Sequence, residues 1–229
     1  MLHFHLAGIN NQNFIMRDEE TGSWWQQVSG KAINGPLKGR QLKKVLHDEL
    51  SFSIWYGEER GGRVLKPDEK IAAANDYAPA DWETRVGKMR VVDGTDVDQR
   101  LAPRTLVVGI EVDGKSVAYP LSALQKQSPI MDMVGSTPIM LLLGDDKRSV
   151  RAFERTVDGR RFEFFQRLGE HTMLHLVDGE TSSTWNFEGK ATSGSLAGKQ
   201  LKKIFVLEDY WFDWRIYHPD TTVYELGSR

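Results

Sequence analysis

The chain has 229 residues, no cysteine, 30 basic and 32 acidic side chains and a formal net charge of −2. This composition excludes disulfides, thiolate catalysis and cysteine-held metal or iron–sulfur centres. It offers no basic stripe for neutralising nucleic-acid phosphates, and its longest apolar run, Ile139 to Leu143, falls far short of the roughly 20 residues of a membrane span.

With 40% hydrophobic residues the chain can bury an ordinary core, as one large β-rich domain or two modest ones. The first residues, MLHFHLAGINNQ, lack the basic and apolar regions of a secretory signal. The expected compartment is therefore the cytoplasm, or the periplasm or exterior if the sequence is N-terminally shortened.

Leu2, Phe4 and Leu6 alternate with His3 and His5, the period-two pattern of a half-buried strand. Phe14 to Met16 lead into a turn, Asp18 to Ser23, where short oxygen-bearing side chains can bond nearby backbone N–H groups and Gly22 tolerates positive φ. Trp24 and Trp25 open the next strand. Gly30, Gly35, Pro36 and Gly39 then cut the chain into strand, tight turn and short strand, although Leu37, Leu42, Val45 and Leu46 also fit one helical turn. Ser51 to Tyr56 reads as a strand.

Residues 67–101 are acidic, Ala-rich and Pro-punctuated, and predict a linker with a short helix over Asp68 to Asn75, anchored by Tyr77 and Trp82. Asp113-Gly114 and Asp158-Gly159 mark hairpins, because both central residues of such turns need positive φ. Pro120 to Gln125 predicts a short helix and Pro138 to Leu143 an apolar strand. Tyr210 to Tyr217, YWFDWRIY, reads as an aromatic strand with Trp211 outward and Phe212, Trp214 and Ile216 inward.

One segment occurs twice. Arg17 to Leu46 matches Val177 to Phe205: adding 160 carries Asp18, Glu20, Thr21, Ser23 and Trp25 onto Asp178, Glu180, Thr181, Ser183 and Trp185. Adding 159 then carries Gly30, Lys31, Ala32, Gly35, Leu37, Gly39, Gln41, Leu42, Lys43 and Lys44 onto identical residues, a duplication. Phe4 falls on Phe164, so Leu106 to Arg160 has no upstream counterpart and the first unit begins part-way through.

The expected architecture is thus mainly β with a few short helices. Two pseudo-symmetric units, residues 1–66 (N-truncated) and 102–229 (complete), share one core and are joined by the linker at 67–101. An open edge on the first unit would be covered by the second unit, by a partner chain such as a second copy, or by an upstream segment.

The stretches FIMRDEETGSWWQQVSGKAINGPLKGRQL, VVGIEVDGKSVAYPLSAL, VRAFERTVDGRRFEF and LVDGETSSTWNFEGKATSGSLAGKQL, with Trp214 and HPDT at His218 to Thr221, resemble the bacterial and archaeal family known as domain of unknown function 3179. The resemblance implies fold and extent without an activity. Longer relatives carry a Cys-Pro-Leu-Cys-like motif before the strand entering the D-x-x-T-x-S-x-W turn. Here Leu141 to Asp145 fill that place in the second unit, so any redox or metal role of those cysteines is absent.

The paired turns, Asp18, Glu20, Thr21, Ser23 and Trp25 with Asp178, Glu180, Thr181, Ser183 and Trp185, could present oxygens and an indole to a sugar or cation. Equally, Asp and Ser could cap turn backbone while Trp packs. His3 and His5 share a strand face and are weak metal candidates without a third ligand, so no metal and no cofactor are expected. No G-x-S-x-G elbow or phosphate-cradling glycine loop is present. The leading expectation is a non-catalytic binding or assembly module. The alternatives are an enzyme acting on a polar small molecule or glycan between the units, with Asp18 or Asp178 as acid/base, and a remnant of a longer redox or metal-binding protein.

Overall fold

The structure is a computed structural model and describes residues 1–10, 13–66, 68–70, 81–91, 98–167 and 174–227. Its first element is an antiparallel meander of β1 (Phe4–Asn10), β2 (Asn13–Asp18), β3 (Trp24–Gln26) and β4 (Ala32–Asn34). After β4 the chain turns through Gly35 and Gly39 and runs on without the helical turn that Leu37 to Leu46 could have formed.

Ser51 to Tyr56, expected as a strand, is instead helical: α1 spans Phe52–Glu58. The Ser51 hydroxyl accepts the backbone N–H of Ile54, an N-cap that decides between two patterns an aromatic run fits equally. The helix expected over Asp68 to Asn75 lies mostly outside the described residues, as does Tyr77. Trp82 opens α2 (Trp82–Val86) and is exposed rather than anchored in a core.

The Asp-Gly turns behave as their chemistry demands. Asp113 and Gly114 both take positive φ between β5 (Leu106–Val112) and β6 (Lys115–Pro120). There follow α3 (Leu121–Lys126), β7 (Ile130–Val134), β8 (Thr137–Leu143) and β9 (Val150–Glu154). The second Asp-Gly turn joins β10 (Thr156–Val157) to β11 (Arg160–Arg161). A second antiparallel meander comprises β12 (Phe164–Gln166), β13 (Leu176–Asp178), β14 (Thr184–Trp185) and β15 (Ala191–Ser193). The chain ends with β16 (Lys202–Ile204), β17 (Val206–Tyr210), α4 (Trp211–Tyr217) and β18 (Thr222–Val223), which pairs parallel to β6.

These elements stack in layers. Sheet β17-β5-β6-β18 and sheet β16-β9-β8-β7 enclose a core of Ile110, Tyr119, Ile139, Leu141, Leu143, Val150 and their neighbours. On the other side of β8 and β9, Met140, Leu142 and Phe153 pack with Phe164, Leu176 and Trp185 of the second meander. Burial on both faces is why β8 is apolar without alternation.

The aromatic run at Tyr210 is corrected too, because the strand stops there and α4 begins. Trp211 and Phe212 donate their backbone N–H groups to the carbonyls of Thr105 and Pro103, satisfying the open helix start. Trp211 is fully buried, not outward, and joins Trp214 against Val107 and Ala118. Gly109 permits this, since a Cβ there would fall 2.1 Å from the Trp214 ring.

Ion pairs strap the segment after the first meander across the larger part. Arg151, 4% exposed, donates to Asp48 at 2.8 Å and to Glu58 of α1 at 2.6 Å, and Lys203 reaches Asp48 at 2.7 Å. Removing the guanidinium strands Glu58, while Asp48 keeps Lys203. Arg151→Met is expected to lose about 3 kcal/mol of unfolding free energy in urea titrations, the low end for one-sided removal of a buried ion pair.

Candidate functional site

In the first turn the Asp18 carboxylate is fully buried. One oxygen accepts the Thr21 backbone N–H at 2.5 Å and its hydroxyl at 2.7 Å, and the other accepts the Trp25 indole N–H at 2.7 Å. Burial pushes this carboxyl up, but the donors from Trp25, Thr21 and Ser23 prevail and hold it below its usual value. The Ser23 hydroxyl bonds Thr21 and accepts the Leu37 N–H at 3.0 Å. Gly35 closes the arrangement at φ +89°, where a Cβ would fall 2.7 Å from the Ser23 backbone.

The second turn has the same partners. Asp178 accepts from Thr181 N at 2.5 Å and from the Trp185 indole at 2.8 Å, and Ser183 accepts Leu196 N at 3.1 Å. Gly194 sits at φ +88° against Ser183. The Phe4–Trp25 and Phe164–Trp185 rings meet edge-on at 5.9 and 5.6 Å. Glu20 and Glu180 take the backbone N–H groups of His3 and Glu163, which pulls Glu20 below its usual range. The oxygens that would face a ligand therefore already hold the turns.

His3 pairs with Glu20 at 2.5 Å and His5 lies 4.0 Å from Glu19. Among the described residues no three His, Asp or Glu side chains are grouped as a metal would require.

Two surfaces remain. One is the face of the first meander carrying Phe4, Leu6, Ile9, Phe14 and Met16, whose registered pairs Leu6–Met16 and Ile9–Phe14 place them together. Phe4 is 37% exposed where Phe164 is 0%, and Phe14 is 48% exposed where Leu174 is 6%.

The other is a cleft of about 640 Å³ between the first meander and the β5–β17–α4 region, bordered by Lys31, Lys44, Glu111, Trp214, Tyr217 and His218. None of these six belongs to the paired turns that the sequence marks as a candidate site. The signal available was Trp214 with the HPDT tetrapeptide, whose His218 and Thr221 both bond Trp214: the His218 ring donates to its carbonyl and the indole donates to the Thr221 hydroxyl at 2.9 Å.

Behind this cleft lie carboxyls the sequence did not mark. Asn13 of β2 donates to Asp213 and, at 3.2 Å, to the Tyr217 hydroxyl, pinning the meander to α4. Oδ2 of neighbouring Asp209 is buried without a hydrogen-bond partner. Burial, then the Asp213 charge, raises Asp209 to about 8. Away from this cleft, in a pocket with Glu49 and Arg148, burial and the Glu49 charge raise Glu208 to about 7. Burial also raises Asp213.

Two tests follow from this geometry. Asn at both 18 and 178 offers one acceptor oxygen where each turn uses two, so Asp18→Asn with Asp178→Asn is expected to lower the melting temperature in calorimetry. The raised carboxyls set a pH dependence: unfolded chains release these protons near pH 4, whereas folded Glu208 and Asp209 retain them to about 7 and 8. Stability from these groups is complete below about pH 4 and is lost as pH rises through that window. The melting temperature should fall between pH 5 and 8, and Glu208→Gln with Asp209→Asn should flatten that slope.

No helix among the described residues is long and apolar enough to cross a membrane. No curated protein and no solved structure matches the chain. Residues 3–221 match the family model described as protein of unknown function (DUF3179), and the chain belongs to that family.

Proposed function

We propose that this protein is a non-catalytic binding and assembly module, built from two related units at 1–66 and 102–229 joined through 67–101. In this reading the exposed face of the first meander receives an apolar β-layer from another polypeptide segment. The observation that carries it is the contrast between matching positions. Phe164 and Leu174 are buried beneath a layer containing Met140, Leu142 and Phe153, whereas Phe4 and Phe14 stand in solvent.

An apolar stripe along paired strands is the kind of exposed patch that marks an interaction surface. Its occupant has the chemistry of the β8–β9 layer: antiparallel strands presenting Met, Leu and Phe. The paired turns are scaffold in this reading, since their carboxylates, hydroxyls and indoles are mutually satisfied.

A tethered layer tests the reading. An extra copy of residues 130–157 joined ahead of Met1 through a flexible Gly/Ser linker should raise the melting temperature and slow amide exchange in β1 and β2. Phe4→Ser with Phe14→Ser should abolish that gain when compared with the same double variant lacking the tethered layer, since Phe4→Ser alone also gives up the edge contact with Trp25. A tethered layer that leaves both measurements unchanged sinks the proposal, whereas a dimer burying Phe4 and Phe14 identifies a second copy as the occupant.

A further inference from the structure

The cleft beside α4 is assembled by a chain of dependencies that assembly through the first meander does not use. Gly109 leaves room for the Trp214 ring, so the indole lies flat on β5. The His218 imidazole stacks on that indole, with centroids 3.6 Å apart and planes inclined by 15°. Its Nδ1 lies 3.1 Å from the Trp214 carbonyl, which can only accept, so the ring proton on that side is fixed and Nε2 is the nitrogen left toward Glu111. Glu111 Oε2 lies 3.5 Å from Lys44 Nζ and 3.6 Å from His218 Nε2. The Lys44 separation is looser than a charged hydrogen bond, so its ammonium keeps donors for a further partner.

Lys44 is also held over the Phe205 ring at 5.4 Å. Lys31, bridged to Gln41 just before β4 and also on the cleft border, has no acidic partner among the described residues. The remaining walls are mixed, with apolar Val28, Leu42, Leu207 and Ile216 beside polar Gln26, Ser29 and Gln41. In a chain of net negative charge, this partly apolar cleft thus sets two lysines against one glutamate beside the stacked His218–Trp214 pair.

We propose that this cleft binds a small, flat-bodied organic anion, a carboxylate or phosphate on a ring. The anionic group lies between Lys31 and Lys44, and the ring lies against the apolar walls beside His218. The Glu111 hub holds Lys44 in place before the ligand arrives, which limits the ordering lost on binding. Apolar walls supply burial, and two ammonium groups distinguish an anion from a neutral molecule of the same shape.

Matched probes test this on the intact chain at fixed ionic strength. Benzoate and benzamide share size and shape and differ in charge, and phenyl phosphate separates the phosphate source from the carboxylate. In NMR titrations, benzoate or phenyl phosphate should perturb the Trp214 and His218 signals with roughly tenfold higher affinity than benzamide, the scale of one charge-assisted hydrogen bond. Lys31→Gln with Lys44→Gln, both solvent-facing changes, should erase the preference while leaving the spectrum folded.

Equal binding of benzamide would show a cleft for neutral ligands and overturn the proposal. No binding by any probe, or a preference that survives in the double variant, would overturn it as well. Because these outcomes are read at Trp214 and His218, they stand apart from the tethered-layer result at Phe4 and Phe14.

Discussion

A buried carboxylate that collects an indole N–H, a backbone N–H and a hydroxyl within one turn is the constraint on which the two meanders depend. A carboxyl group under hydrocarbon is costly unless both of its oxygens find donors. Asp18 and Asp178 meet that demand within eight residues of chain. The indole must then sit over the turn, which registers β2 on β3 with Met16 opposite Trp25, and β13 on β14 with Leu176 opposite Trp185. Ser23 and Ser183 extend the same network to Leu37 and Leu196, so the glycine-rich loop is tied to the turn. Gly35 and Gly194 are required because any side chain would collide with those serines.

A local network that satisfies itself can operate in different surroundings. The second meander lies beneath β8 and β9, and its Phe164, Leu176 and Trp185 vanish into a core. The first keeps Trp25 buried by its own strands while Phe4 and Phe14 emerge into solvent. The turn therefore explains how both sheets fold, and the apolar residues around it record what each sheet is covered by. Burial at matching positions is the more informative comparison, because the hydrogen bonds scarcely differ.

Much of this was legible in the amino-acid order where one residue determines one backbone state. The Asp-Gly turns, the glycines at positive φ and the doubly buried strand at Ile139 to Leu143 each follow from local chemistry. The runs SFSIWY and YWFDWRIY are helical although they also fit a strand, because aromatic stretches satisfy a period of two and of 3.6 alike. What settles them is remote: carbonyls of Pro103 and Thr105 awaiting donors, and a glycine at 109 making room for an indole. The cleft is not legible in the sequence for a related reason. Lys31, Lys44, Glu111 and His218 are unremarkable surface residues separated by up to most of the chain, and only the fold of α4 against β5 brings them together.

Charge in this molecule is mostly used for fastening. Arg151 and Lys203 hold the segment around Asp48, and Asn13 of the first meander meets a carboxyl of α4. Each tie crosses between the first meander or its connector and the larger part, where apolar contact is sparser than between the stacked sheets. Directional polar bonds fix orientation at such a junction more sharply than hydrocarbon does, because a salt bridge or amide contact weakens steeply when its angle changes. A cleft bordered by elements from both sides therefore keeps its shape only as well as those bonds hold. Among the described residues, Lys31 on its border has no acidic partner and takes no part in that fastening.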